Sequence, residues 1–347
     1  MDWRRGGAML MVVLAFAAVG LVARESGAAE TKVVYHENWI IAGEHVGDFA
    51  ALELGFFREE GLNVEINRGF GAVDTLKLVA TGRIHFGRSV ALSVILGRPT
   101  GIRARMVKMM MHKSPYGLAY IQGRGIRNPK DLEGKKIAIP AASSVLQLWP
   151  AFAQVAGVDR AKVQILNMDP GGLPASVAAG SVDASDSWLT SLPAFEDAAQ
   201  KVGQKAAIFL WAEYGLKEIY GSAVVASDET IATQPDLVRR FVRAVSRGHA
   251  WAIEHPKAAI DHFMKRNPDR NRQLVERQWR YTVDLSFDGL SEKQGLGVMD
   301  VPKLRGLIDL VQKYLELKGK VTAEEIATNG FVQDLPAGVR FPKRVEF

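Results

Sequence analysis

Two tryptophans and a scatter of histidine, serine and carboxylate side chains carry the chemistry this chain can do. Trp39 and His45 share one loop after an apolar strand; Asp186 and Trp188 follow another. An indole offers a flat apolar face and one N–H donor, which suits a ring held by stacking, and a neutral imidazole donates or accepts one hydrogen bond. The same residues have blander uses: Trp39 can pack under its loop, His45 can start a helix at the surface, and Asp186 can cap a helix instead of accepting from an amine or ring N–H. Phe70, in Gly69-Phe70-Gly71 before a helix, either closes over a ring or fills a tight turn. Backbone N–H groups there can hold an anionic edge, but no Gly-Lys-Ser/Thr follows, so a nucleotide-binding loop is excluded. Ser89, Ser143 and Ser144 each follow a strand near a helix start, where a hydroxyl caps its own helix or donates to ligand oxygens. Tyr116 and Glu213 lie near two expected crossings between lobes, with Tyr214 and Tyr220 beside the second.

Several chemistries are ruled out by what is missing. There is no cysteine, hence no thiolate metal site, disulfide, cysteine nucleophile or lipidated cysteine anchor. No His-Glu-x-x-His pair occurs, and no metal is expected. No Gly-x-Ser-x-Gly elbow is present. The formal charge of +6 draws weakly toward an anionic or polar ligand, and no basic cluster alternates with aromatics as nucleic-acid binding needs.

The elements that must position these residues alternate strand and helix. A strand over Lys32–His36 leads through the Trp39 loop to a helix over Val46–Leu54, closed by Gly55. A strand over Asn63–Arg68 precedes Gly69, and a helix over Asp74–Ala80 leads to a short strand at Ile84–Gly87, with Ser89 at its carboxyl end. Strands follow at Arg105–Met111 and Leu118–Ile121. Then come Ser143 before a helix to Val155, a strand at Val163–Asn167, and a helix–turn–strand unit through Val182–Ser185 that repeats the earlier Leu78–His85 pattern. Strands at Ala206–Trp211 and Ser222–Ala226 precede a helical remainder, where Leu237, Val238, Phe241, Val242 and Val245 keep a helix period. Such repetition predicts two similar α/β lobes, with ligand at the carboxyl ends of their strands.

With 347 residues, 48% hydrophobic and 24% charged, the chain can bury about two domain cores. Its start differs from the rest: Arg4 and Arg5, an apolar run over Ala8–Ala23, then Gly27-Ala28-Ala29. That is the pattern of a secretory signal, and the run falls short of the ~20 residues a membrane span needs. Its removal takes Arg4, Arg5 and Arg24 against Asp2 and Glu25, leaving about five positive charges.

The stretch Asn38–Gly87 resembles the periplasmic binding proteins that serve ABC importers of nitrate, alkanesulfonates, taurine and thiamine pyrimidine precursors. Trp39, His45 six residues on, Gly47 and Phe49 are similar to the pyrimidine-precursor branch, and Gly55–Val64 to the whole family. Ile41 and Ala42 stand where that branch often has Pro and Asn. The resemblance spans about Lys32–Phe331, and Asn128–Ile139 resembles the entry to a second lobe. It implies an α/β, two-lobed periplasmic-binding-protein fold of type II with a two-crossing hinge. The expected divisions are a signal peptide over 1–29, lobe 1 over 30–121, lobe 2 over 122–221, and a return to lobe 1 with C-terminal helices over 222–347. It further implies a monomeric solute-binding protein of the periplasm, not an enzyme, without a cofactor. Such a protein hands a small heteroaromatic ligand to a permease with its ATPase, and once the signal is cleaved it is not inserted in the membrane. A sulfonate, taurine or nitrate binder is the alternative. Fungal thiamine-pyrimidine synthases also resemble this family, but they use a cysteine-rich motif. The implied ligand-facing set is Trp39, His45, Phe70, Ser89, Tyr116, Ser143, Ser144, Asp186, Trp188 and Glu213. N-terminal sequencing of the exported protein is expected to begin at Glu30; recovery of the uncleaved chain in the membrane would contradict the signal reading.

Overall fold

The computed structural model describes residues 30–347, so the expected signal segment lies outside the described residues. Ten strands form two five-stranded mixed sheets. The strands are β1 (Thr31–His36), β2 (Leu62–Asn67), β3 (Phe86–Val90), β4 (Ala104–Met109), β5 (Tyr116–Ile121), β6 (Lys136–Ala138), β7 (Gln164–Leu166), β8 (Ala184–Trp188), β9 (Ala206–Leu210) and β10 (Ser222–Ser227). The first sheet runs β2-β1-β3-β10-β4 and the second β7-β6-β8-β5-β9. In each, three parallel strands meet an antiparallel strand that has crossed from the other half: β10 pairs with β3 (Ala223↔Ser89), and β5 pairs with β8 (Tyr116↔Trp188). The two sheets therefore share one topology, and the chain is a two-lobed α/β protein.

The strand Tyr116–Ile121 lies in the second sheet, although a lobe boundary at 121/122 would leave it with the first. Two other strands start later than the hydrophobic pattern suggests. β3 contains Arg88 and Ser89, and β8 contains Ser185 to Trp188, all buried. Burial reverses the expectation for these polar residues: Arg88 has ion-pair partners and Ser89 donates to the Ala72 carbonyl (2.8 Å), so the strands run through them. Asp288 caps the helix Gly289–Gln294 with Ser291 as its reciprocal partner, and Thr322 and Glu325 pair in the same way at the helix Ala323–Ile326.

Helices cover both faces of the sheets. In the first lobe Phe241, from the helix Pro235–Glu254, stacks on Phe86 at 4.0 Å and meets Tyr35 edge-on at 5.2 Å. In the second lobe Trp211 stacks between Phe152 (4.5 Å) and Tyr116 (6.3 Å). On the C-terminal helix Val301–Tyr314 the apolar stripe buries Leu304, Leu307 and Val311.

The helix Val46–Glu53, which follows the Trp39 loop, is seated on Pro235–Glu254 through a glycine contact. A Cβ at Gly248 would lie 2.4 Å from Ala51 Cβ and 2.5 Å from the Gly47 carbonyl. Alanine gains about 1 kcal/mol of helix propensity over glycine, but overpacking against backbone costs roughly 1–3 kcal/mol. Gly248→Ala is therefore expected to lower the melting temperature, against the usual sign for Gly→Ala in a helix. A rise in the melting temperature would show that this helix pair is not close-packed.

Candidate functional site

The carboxyl ends of β1 and β3 face those of β6 and β8 across a cleft, and the lobes touch around it. Thr190 donates to Glu44 Oε2 (2.8 Å), Ser93 to Gln147 Oε1 (2.6 Å), and the Val73 N–H to the Ala142 carbonyl (3.5 Å). Arg277 pairs with Glu196 (3.3 Å) and with Asp197 of the other lobe. At Gly71 an added Cβ would lie 2.3 Å from the Ala142 carbonyl, so only glycine permits this approach.

The cleft encloses a cavity of about 70 Å³, several times the room one water needs. From the first lobe it is walled by Asn38, Trp39, Ile40, Ala42, Glu44, Ala72 and Gln278. From the second come Ser143, Ser144, Pro170, Leu173, Asp186, Ser187, Trp188, Thr190 and Phe195. Trp39 reaches over to pack on the second lobe's apolar cluster around Leu173 and Phe195. Trp188 is held edge-on against Tyr116 at 5.5 Å.

Among the described residues no Lys, Arg or His lines this cavity. Its ionisable groups are the carboxyls of Glu44 and Asp186. Buried acceptors without a partner face it too: Asn38 Oδ1 and Asp186 Oδ2. The helix donors nearby are engaged, Val73 N–H with Ala142 and Val145 N–H with Ser143 Oγ (3.0 Å). Burial pushes Asp186 up to about 7 against the opposing hydrogen bond from Ser143. Burial also raises Glu44, with Arg88 and the Thr190 hydroxyl pulling the other way.

Of the residues singled out in the sequence, Trp39, Ser143, Ser144, Asp186 and Trp188 line the cavity. The others do not. His45 is wholly buried behind Glu44, its Nδ1 accepting the Ala42 N–H (3.1 Å) and its Nε2 lying 3.3 Å from Glu44 Oε1 and 3.4 Å from Glu37 Oε2. Burial, then the Arg88 charge, holds its imidazole well below the ordinary range. Phe70 stands 58% exposed under the Arg68 guanidinium (4.4 Å). Ser89 is buried in β3, Tyr116 lies behind Trp188, and Glu213 sits in a turn after β9, away from the cavity. Sequence reasoning passed over Glu44, Asn38, Thr190 and Gln278. Gln278 accepts the Gly43 N–H (2.9 Å) and so ties the Trp39–Glu44 loop to the helix Arg272–Ser286.

Beneath the cavity is a buried ionic cluster. Arg88 reaches Asp48 Oδ2 (2.7 Å), the Glu44 carbonyl (3.1 Å) and Glu37 Oε2 (3.4 Å). Burial alone would lower Arg88, but Asp48 and Glu37 keep it charged.

The model of the family described as NMT1/THI5 like matches residues 42–259. The formylaminopyrimidine-binding protein of Halalkalibacterium halodurans is 23% identical over 290 residues, 83% of this chain and 87% of its own. A 4-amino-5-hydroxymethyl-2-methylpyrimidine phosphate synthase of Aspergillus parasiticus is 23% identical over 264 residues, 72% of this chain and 76% of its own. Among solved structures, the alkanesulfonate-binding protein of Xanthomonas axonopodis pv. citri bound to MOPS is similar in fold. It has a TM-score of 0.66 at 15% identity, over 86% of this chain and 98% of its own.

The raised Asp186 gives a pH signature. Its ordinary value is 3.8 and its value in the closed cleft about 7, so the closed form holds a proton that an unfolded chain releases. That contribution to stability is fully present below pH 3.8 and is lost as pH rises through about 7. Asp186→Asn is therefore expected to raise the ligand-free melting temperature at pH 8, and to raise it less at pH 5, where only part of the interval between 3.8 and about 7 has been crossed. The rise should reflect at least one kcal/mol, about 2–4 °C for domains of this size. Equal differences at both pH values would contradict the assignment.

Proposed function

The chain belongs to the NMT1/THI5-like family, and on that premise we propose that it is the solute-binding component of an ABC import system. It captures a small, flat, nitrogen-bearing heteroaromatic of pyrimidine type between its lobes and delivers it to a permease and its ATPase. The observation that carries this reading is the polarity of the cavity: two indoles on apolar walls, two carboxyls, an unpaired amide oxygen and no cation. An aminopyrimidine supplies the missing donors, and its ring fits between aromatic walls. A sulfonate or nitrate would meet Glu44 and Asp186 with no counter-charge, and burial makes that repulsion costly. The name of the Halalkalibacterium halodurans relative points the same way. The relatives named as synthases support a second, enzymatic reading. Against it stand the absence of cysteine and a cavity wall without lysine.

The protein works as a monomer in the periplasm in this proposal; among the described residues no helix is long and apolar enough to cross a membrane. The segments between β4 and β5 and between β9 and β10 are the hinge. The lobe carrying β5–β9 opens against the rest. Opening breaks the Glu44–Thr190 and Arg277 contacts and rehydrates Asp186.

Calorimetry tests the ligand class. The expected order is 4-amino-5-hydroxymethyl-2-methylpyrimidine well ahead of taurine and nitrate, by more than tenfold. Trp39→Ala and Trp188→Ala each lose about 0.5–1.5 kcal/mol of stacking beyond burial. Glu44→Gln loses about 1–1.5 kcal/mol as a hydrogen bond to a charged group becomes one to a neutral group. Best binding by taurine or nitrate would overturn the ligand class and leave the importer role standing.

A further inference from the structure

The cluster under the cavity contains more acid than base. Three carboxyls, Glu37, Glu44 and Asp48, are buried around the Arg88 guanidinium, and the one other buried cation acting on them is Lys108. His45 and His249 do not alter the balance, because burial keeps both neutral. With every carboxyl ionised the group would carry an uncompensated negative charge in a low-dielectric interior, which is strongly unfavourable. One proton removes the excess.

The geometry says where that proton sits. Glu44 faces the cavity and its Oε2 accepts a hydrogen bond from Thr190 Oγ1 (2.8 Å), a donor that neither Glu37 nor the free oxygen of Asp48 has. His45 Nδ1 accepts the Ala42 N–H, so the neutral ring carries its hydrogen on Nε2, between Glu44 and Glu37. Asp48 Oδ2 has the short bond to Arg88. Glu37 is left. It is wholly buried, Arg88 Nε and His45 Nε2 stand only at 3.4 Å from its Oε2, and Glu37 Oε1 and Asp48 Oδ1 have no donor at all. Glu37 and Asp48 meet the same Arg88 guanidinium, and two neighbouring buried carboxyls whose remaining oxygens have no donor are relieved by a hydrogen on one of the pair.

We infer that Glu37 is a specificity-determining residue: it holds one proton, shared with Asp48, at neutral pH and thereby leaves Glu44 as the anion that the ligand meets. Burial, then Asp48, raises Glu37 well above the usual carboxylate range, in keeping with this. The groups facing it are Tyr35 on its own strand, Glu44 and His45 on the following loop, Asp48, and Arg88 on β3, with Lys108 on β4 and His249 on the long helix acting through them. Among the described residues no three His, Asp or Glu are set to hold a metal ion. For selectivity, the inference rests on the proposed ligand class; for the proton itself, it does not.

Two measurements on the full mature chain test it. The wild-type minus Glu37→Gln infrared difference spectrum at pH 7 should show a protonated carboxyl C=O band, and the variant should keep its melting temperature, since an amide mimics the acid. Loss of ionised carboxylate bands instead would overturn the proposal, with or without a known ligand. The second variant is Lys108→Met, remote from the cavity. With one cation fewer the cluster takes a second proton, and Glu44 is its next seat. Affinity for 4-amino-5-hydroxymethyl-2-methylpyrimidine should fall about tenfold at pH 7 and recover as pH is raised, with Asp186 titrating alike in both proteins. A loss of affinity that is flat with pH, or no loss, would overturn the role of the cluster in selectivity. Failure of the probe to bind wild type would count against the ligand class and leave the infrared result to decide Glu37.

Discussion

One buried guanidinium governs the first lobe. Arg88 lies in the middle of a central strand, 2% exposed, and can stay there only while carboxylates compensate its charge. Asp48 on the helix Val46–Glu53, Glu37 at the end of β1 and the Glu44 carbonyl in the loop are drawn to it from three separate elements. Such a group adds little net stability over an apolar core, but losing one partner costs about 3–5 kcal/mol. Its effect is to fix register. The loop from Trp39 to His45 cannot shift without stranding a charge, and Gln278 pins it from the other side. Trp39 and Glu44 are therefore presented to the cleft by a rigid floor.

The cleft uses that floor as one jaw. Glu44 is both a wall of the cavity and an acceptor for Thr190 of the opposite lobe, so a ligand that engages it touches a group already involved in holding the lobes together. Asp186 is buried in the cleft and its Oδ2 has no donor. In the proposed function an empty closed state is thus penalised at neutral pH, and a ligand with an N–H aimed at Asp186 relieves the penalty. On that proposal closure and recognition draw on the same two carboxyls, one from each lobe.

The fold was largely readable from the chain. The repeated helix–turn–strand unit foretold two like lobes, and the rule that ligands gather at strand ends picked out Trp39, Ser143, Asp186 and Trp188. What failed failed for a physical reason. Polar residues ordinarily mark a strand's end, yet Arg88–Ser89 and Ser185–Asp186–Ser187 run inside strands, where ion pairs, backbone acceptors or the cavity take up their polar groups. His45 drew attention that belonged to its neighbour Glu44: the imidazole is wholly buried behind the carboxyl, which lines the cleft. Gln278 is 235 residues from its partner Gly43, and no local pattern announces it. A usable signal was present for the cluster. An arginine within an apolar stretch, with Glu37, Glu44 and Asp48 spaced through the loop and first helical turn that follow β1, is a charge looking for partners.

The central claim is that this cleft selects donor-bearing rings and excludes anions, and the most direct test is to identify what it carries. Protein purified from its own periplasm without denaturation, released in mild solvent and examined by mass spectrometry, should yield an amino-substituted nitrogen heterocycle in near-stoichiometric amount. Recovery of a sulfonate or another anion without a ring donor would contradict the account.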